Sequence, residues 1–257
     1  MKEEFKVYKT VLVIGAHIDE CECGECGGIS LKFVKLGYKV VFLNTIGDLQ
    51  GWSIIKNKED EKILTQEAYE AAKILGAHKI LLKFQNNQFF DTDFNAVKEI
   101  AKVVKEVNPE IALIQWPKDN HPDHVRTARA SLEALSYTNR FVGGKSVKIN
   151  LKEILAYEAS SWQTEDLKPD FFINISKEIE TVFQAMRAFK HIRIEGYIED
   201  KKAQCRLWGI QSGFRYAEGF KHLGPYFPMQ SILPNLFGKD FRPIGSYQYP
   251  WGTQYFI

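Results

Sequence analysis

The apolar and polar positions of this chain alternate between two periods. KTVLVIGA (9–16) is a short β-rich run that closes on small residues and predicts a buried strand. GGISLKFVKLG (27–37), with Leu31, Val34 and Leu36 apolar and Gly37 as a stop, predicts a helix. KVVFLNTI (39–46) is a second strand. Residues 58–75 put Ile63, Leu64, Ala68, Ala71, Ala72 and Leu75 on one helical stripe, closed by Gly76. KILLKF (79–84), a helix over 94–107 stopped by Pro109, EIALIQW (110–116) and a helix over 122–136 with Pro122 at its first position continue the pattern. EILAYEA (153–159) and DFFINIS (170–176) are two more strands, followed by helices at about 176–190 and 195–209. Strands separated by helices imply parallel βαβ units with right-handed crossovers.

Neither an internal repeat nor a low-complexity linker divides the 257 residues, so a single domain over 1–257 is expected. From about 221 the chain is rich in Pro, Gly and aromatics (GPYFPMQ, YQYPWGTQYF) and predicts an irregular aromatic extension packed on the body. At 45% hydrophobic the chain holds a sizeable core, and a net charge of +2 points to no nucleic-acid partner. The opening MKEEFKVYKT lacks the apolar core of a signal peptide, and no apolar run approaches the ~18 residues of a membrane span. A cytoplasmic protein without a membrane partner is the expectation. Three of the four cysteines crowd into Cys21, Cys23 and Cys26, which is not a disulfide framework.

Two turns carry the chemistry. Past the first strand, GAHIDECECGECGG (15–28) sets His17, Asp19 and Glu20 within four positions; past the fourth, DNHPDH (119–124) adds two histidines and two acids. Acids crowded together repel and cost desolvation, so such clusters serve chemistry more readily than stability. Ligands of open parallel sheets bind beyond the carboxyl ends of the strands. If the first and fourth strands are neighbours, three histidines and several carboxylates converge there. Catalytic zinc takes three such ligands and leaves a position for water.

Simpler readings compete. HPDH serves equally as an ordinary helix start, with Asn120 capping and Asp123 complementing the dipole. The cysteines suggest a thiolate metal site, but three leave a four-thiolate site incomplete. The glycines 24, 27 and 28 do not make a dinucleotide loop, because G-x-G-x-x-G is absent and the turn is acidic. His78, His191 and His222 have no acidic neighbour at ligand spacing and read as surface or packing residues.

These residues resemble the LmbE-like, or PIG-L, family of metal-dependent de-N-acetylases. Its strand-A-H-P-D-D signature is matched by AHIDE (16–20) and then Gly27-Gly28; its H-x-D-H signature by HPDH (121–124); YAEGF (216–220) is a weaker third match. LTQEAYEAAKILGA, AYE (156–158) and PDFFINIS resemble further parts, so the likeness runs from about 9 to 222. The resemblance implies an α/β, Rossmann-like, mostly parallel sheet with helices on both faces. It also implies one divalent metal ion, Zn2+ by preference, held by His17, Glu20 and His124. Asp19 takes the general-base position, and His121 with Asp123 the electrostatic and acid role. The substrate class is a small molecule with an N-acetylated amine, an N-acetylglucosamine-type sugar. An amidase acting on a thiol or other conjugate, or a sugar- or nucleotide-binding protein with a degenerate metal site, is the alternative.

Four departures mark this chain. Glu20 replaces Asp, Ile18 replaces Pro, the Gly pair comes one residue late, and Leu64 stands where many members carry a substrate-binding Arg. Selectivity is expected from Leu64, Trp52 and the 47–57 loop, with Asp48 available to a sugar hydroxyl or simply turning the chain beside Gly47. The aromatic C-terminal segment offers a surface for a homo-oligomer.

Overall fold

The computed structural model describes residues 9–50, 52–85, 93–192, 194–223, 231–244 and 246. Its strands are β1 (Thr10–Gly15), β2 (Lys39–Asn44), β3 (His78–Leu81), β4 (Ile111–Gln115), β5 (Glu153–Tyr157), β6 (Phe171–Asn174), β7 (Ala217–His222) and β8 (Phe241–Pro243). The helices are α1 (Glu20–Cys23), α2 (Gly27–Lys35), α3 (Lys58–Ile74), α4 (Asp93–Val107), α5 (Pro122–Phe141), α6 (Ile179–Met186), α7 (Ile194–Ser212) and α8 (Leu233–Phe237). All eight strands join one sheet in the order β3-β2-β1-β4-β5-β7-β6-β8. The β3-to-β5 half is parallel throughout, and β7, β6 and β8 add an antiparallel edge.

The period-2 pattern of β1 explains the layering. Val11 and Val13 pack on one face with α2, α3, α6 and α7; Leu12 and Ile14 pack on the other with α4 and α5. Both faces of a parallel strand are thereby buried, which is why β1 reads as a continuous apolar run. Gly37 and Gly76 end α2 and α3 at φ of 82° and 72°, a conformation side chains disfavour.

Three elements differ from the pattern-based expectation. AEGFKH forms β7, although Gly219 and two charges hide a strand period. Residues 231–244, expected to be irregular, supply α8, a short 3-10 helix at Gly238–Asp240 and β8. Helix α5 runs to Phe141 because its apolar positions continue against α4. The aromatic stretches 224–230 and 247–257 lie outside the described residues.

Candidate metal and catalytic site

Strand β1 lies between β2 and β4, with Ile14 opposite both Leu43 and Ile114. The chain leaves β1 toward β2 and reaches β4 on the other side, so the first and fourth turns share a topological switch point. The neighbour condition on which the two clusters depended is therefore met.

The first turn is built around Glu20. Its Oε2 accepts hydrogen bonds from the Ala16 amide (2.7 Å), the His17 amide (2.8 Å) and Gln115 Nε2 (2.7 Å). That leaves Oε1 facing His17 Nδ1 at 2.7 Å and His124 Nε2 at 2.5 Å, with the two ring nitrogens 3.2 Å apart. Asn44 donates to the His17 carbonyl and fixes the backbone there. Ile18 is fully buried in the core, so the departure from Pro adds packing at that position. The late Gly pair has its own reason: α1 inserts a single turn, and α2 then starts at Gly27. A Cβ on Gly28 would stand 2.6 Å from Ile175 Cγ2, a clash that only glycine avoids.

The second turn is a helix start, and its cap is His121. Asp119 accepts from the His121 amide at 2.7 Å, and His121 Nδ1 accepts from the Asp123 amide at 3.2 Å. Asn120 therefore does not cap α5; its amide nitrogen donates to the Gln163 carbonyl. His124 sits one turn in, buried, with Nδ1 3.0 Å from Asp119 Oδ1. The resemblance gives His121 and Asp123 a joint electrostatic and acid role, and the Asp123 carboxylate is also shared with His17. Asp123 Oδ2 lies 3.3 Å from His17 Nε2, and the Asp123 amide donates to His121 Nδ1. In a helix start the caps use main-chain N–H groups, which lets the side chain of the third residue reach across to β1.

Charge follows from this geometry. Burial lowers the His17 pKa, but Glu20 and the hydrogen bonds to Asp123 and Glu20 outweigh it and raise it to about 10. His124 is likewise pulled down by burial and lifted by Glu20 and Asp119 to about 9. Burial alone would raise Glu20, yet His124 and His17 hold it well below the ordinary carboxylate range. Burial and then Glu20 raise Asp19. Burial, His17 and His124 lower His121, so this ring is the neutral one of the three.

The donor set fits a divalent ion. Bonds of ~2.0–2.1 Å in a tetrahedron separate ligand atoms by about 3.3 Å, close to the 3.2 Å between the two ring nitrogens. Each of these two histidines turns its other nitrogen to a carboxylate, the arrangement that orients metal-binding imidazoles. His121 brings a third ring nitrogen to within 4.8 Å of the other two histidines' donor atoms.

A cavity of about 230 Å³ opens over the cluster, lined by Asp19, Trp52, His121, Ser160, Gln163 and Tyr197 among others. Trp52 meets His17 edge-on at 5.5 Å between ring centres. The other two selectivity candidates lie elsewhere. Leu64 is fully buried in the core, where an apolar residue on the α3 stripe belongs. Asp48 accepts from the Gln50 amide and from Gln85 Nε2 at 2.8 Å, the turn role, and does not line the cavity. Cys23 lines it; Cys21, Cys26 and Cys205 are buried, and burial raises all four thiol pKa values. Neutral thiols are poor ligands, and the donor group that could hold an ion among the described residues contains no cysteine. His191 and His222 do have acidic partners, Glu67 at 2.9 Å and Glu153, which lie 124 and 69 positions away and are invisible to local spacing.

Two supports were not anticipated. Gln115, fully buried at the end of β4, donates to Glu20 and accepts from the Ala16 amide at 3.0 Å. Glu218 on β7 accepts from the Gly28 and Ile29 amides at 2.8 Å each and pairs with buried Lys201 at 3.2 Å. Lys201 also donates to the Gly24 carbonyl at 2.7 Å. An acid in YAEGF was the available signal for Glu218; Gln115 gave none.

Residues 12–135 match the PIG-L family, described as GlcNAc-PI de-N-acetylase. Among solved structures, the conserved protein TT1542 from Thermus thermophilus is 24% identical, covering 86% of this chain and 98% of that one, with a TM-score of 0.71. N,N'-diacetylchitobiose deacetylase from Pyrococcus horikoshii is 20% identical (88% and 90% covered, TM-score 0.66). GalB, the 4-carboxy-2-hydroxymuconate hydratase from Pseudomonas putida, is 22% identical (87% and 99% covered, TM-score 0.70). These likenesses establish the α/β fold; a deacetylase and a hydratase share it, so the reaction has to be argued from the site. The family match takes in both the His17–Glu20 turn and the HPDH turn, so residues 12–135 are the stretch that matches a PIG-L (LmbE-like) domain.

Proposed function

We propose that this protein is a metal-dependent hydrolase that removes the acetyl group from an N-acetylated amino sugar. The observation that carries the reading is the meeting of His17 Nδ1, His124 Nε2 and Glu20 Oε1, with Asp19 lining the same cavity. The family match and a deacetylase on the same fold support it.

In this reading His17, Glu20 and His124 hold the ion, Zn2+ by preference. When bound, the ion supplies Lewis acidity toward the acyl oxygen and makes a nearby water more acidic. Asp19 takes the proton of the attacking water; its raised pKa lets it keep that proton and pass it to the departing amine. His121 accepts at Nδ1, so its neutral ring carries the proton on Nε2 and donates toward the developing oxyanion. Asp123 and Asp119 fix the ring orientations of His17 and His124. Trp52 and Tyr197 exclude water at the sides of the cavity.

The test is metal analysis of the purified protein followed by amine release from N-acetylglucosamine and its derivatives. One divalent ion per chain and amine release that a chelator abolishes are expected. A bound ion with no amine released from any N-acetyl sugar would shift the reading to another amide, such as a thiol conjugate; no bound ion would favour the degenerate binder.

Gln115 gives a sharper prediction. Gln115→Leu removes one of three donors to Glu20 Oε2 and lets that carboxylate rotate. Metal affinity, measured against a competing chelator, is expected to fall about 10–100-fold, the usual effect of losing such support. Unchanged affinity in a folded variant would mean that the two backbone amides suffice.

A further inference from the structure

We infer that Glu158 is a pH-sensitive latch on the wall of the catalytic cavity: its neutral carboxyl holds the 159–165 loop closed, and its ionisation releases that loop. The effect on activity rests on the reading of the cavity as the place where the acylated amine binds; the movement of the wall does not.

Glu158 directly follows β5, and the chain runs on from it into Ala159, Ser160 and Gln163, which line the cavity. Glu158 is itself buried. The charged groups that face it are Glu25 from the turn before α2, Asp200 and Lys201 from α7, and Asp119 from the turn before α5. The Glu158 carbonyl accepts from the Glu25 amide at 2.9 Å, which ties the two acids together.

This cluster holds more acids than it can keep charged. Glu25, Glu158 and Glu218 are buried, and Lys201 is the buried base set among them. Lys201 donates to the Gly24 carbonyl at 2.7 Å and to Glu218 at 3.2 Å, and stands 3.6 Å from Glu25. Glu218 also takes the Gly28 and Ile29 amides, and Glu25 takes the Cys205 thiol at 3.0 Å. Glu158 is left over: among the described residues its Oε2 is wholly buried and meets no donor. A carboxylate in that position, with acids beside it, is far costlier than the neutral acid. Burial first, then Glu25 and Asp200, raise the Glu158 pKa to about 8 against the pull of Lys201. Glu25 is raised as well, by burial first, so the two acids titrate as a pair and the one without a donor ionises last.

An ionised Glu158 has to reach water, and the loop after it is the part that gives way. That loop is held by scattered hydrogen bonds and not by the sheet. Thr164 Oγ1 accepts from the Ala159 amide and donates to Asp119 Oδ2, both at 3.1 Å. The Asn120 amide donates to the Gln163 carbonyl at 3.0 Å, and the Ser161 hydroxyl donates to Asp200. Opening withdraws Ser160 and Gln163 from the cavity and slackens the turn that carries His121. In the open loop the carboxyl titrates as an ordinary acid, so opening releases a proton. It therefore becomes easier as pH rises, until the closed form itself ionises.

The experiment is amide hydrogen exchange on the zinc-loaded protein from about pH 6 to about pH 9.5, each rate divided by its intrinsic rate, with β1 amides as the control. In the wild type the opening constant at Ala159, Gln163 and Thr164 is expected to rise by up to about tenfold per pH unit and to level off above about pH 8. Glu158→Gln should give a flat profile. Glu158→Met, also uncharged, should be flat too, and serves if the first variant does not fold. A flat wild-type profile, or a slope that survives in either folded variant, overturns the latch. At saturating zinc, KM for amine release should climb with pH in the wild type and stay level in Glu158→Gln, with kcat little changed; a level wild-type KM overturns the latch's hold on the site. Failure of the hydrolase reading shows differently: the exchange slope would be present and no N-acetyl sugar would release amine.

Discussion

Asp19→Asn should leave the ion bound and lower turnover by about a hundredfold or more, the scale of losing a general base. The substitution keeps shape and removes the ability to accept a proton. Asp19 sits at the N-cap position of α1, yet its side chain makes no capping hydrogen bond; its carbonyl oxygen alone takes the amides of Glu22 and Cys23. The carboxylate is therefore not occupied in capping, and Asn should be tolerated without unfolding. It is nearly buried, and burial with Glu20 alongside favours its protonated form more than water would. A carboxyl group with a raised pKa is suited both to take and to return a proton. Glu22 cannot stand in for it, because Lys79 holds its carboxylate at 2.7 and 2.9 Å in a fully buried pair. The decisive measurement is kcat with metal content determined on the same sample. A near-normal rate at full occupancy would take the base role away from Asp19.

His17→Ala and His124→Ala should each strip the protein of its ion. Either change removes one donor from a set whose remaining members are too few to close a coordination shell. It also leaves Asp123 or Asp119 without its imidazole neighbour, so thermal melting has to accompany the metal analysis. Stoichiometric zinc in both folded variants would remove these residues from the ligand set. The protons on the two rings make the prediction quantitative. With pKa values of about 10 and about 9 in the chain alone, both imidazoles are charged at pH 7. An arriving cation must displace those protons, so binding should release about two, and affinity should climb as pH rises from about 7 toward about 9. Calorimetry in buffers of different ionisation enthalpy reads the number. Stability carries the opposite sign. Raised pKa values favour the folded chain fully below about pH 6.5, and that contribution is lost as pH rises through about 9 and about 10. Chelator-treated protein should therefore melt lower as pH rises over that range, and added zinc should reverse the trend.

What could be read from the residues was local. The apolar runs at 9–16, 39–46 and 110–116 and the stripe at 58–75 are strong because each element buries its own period, and the acid–histidine clusters follow directly after two of those runs. The partners across the sheet were not legible. Nothing in the sequence around Asp123 says that its carboxylate serves His17 at 106 residues' distance. Leu64 occupied an arginine's place in a motif, but the α3 stripe to which it belongs decides its position, and that stripe faces the core. Strand β7 was hidden because its pairing partners β5 and β6 give it a reason to extend that its own composition lacks.

The family-matched stretch ends at residue 135, but the salt-bridged knot under its first turn does not. Glu218 and Lys201, which hold the start of α2 and the Gly24 carbonyl, come from the other half, as does Tyr157, whose hydroxyl donates to the Ile14 carbonyl at 3.0 Å. A fragment cut after residue 135 would lose all three. Two amides at the head of α2 would lose their acceptor, and the end of β1 would open to water. Anyone wishing to graft this catalytic turn onto another scaffold, or to express it as a minimal unit, should carry β5, α7 and β7 along with it.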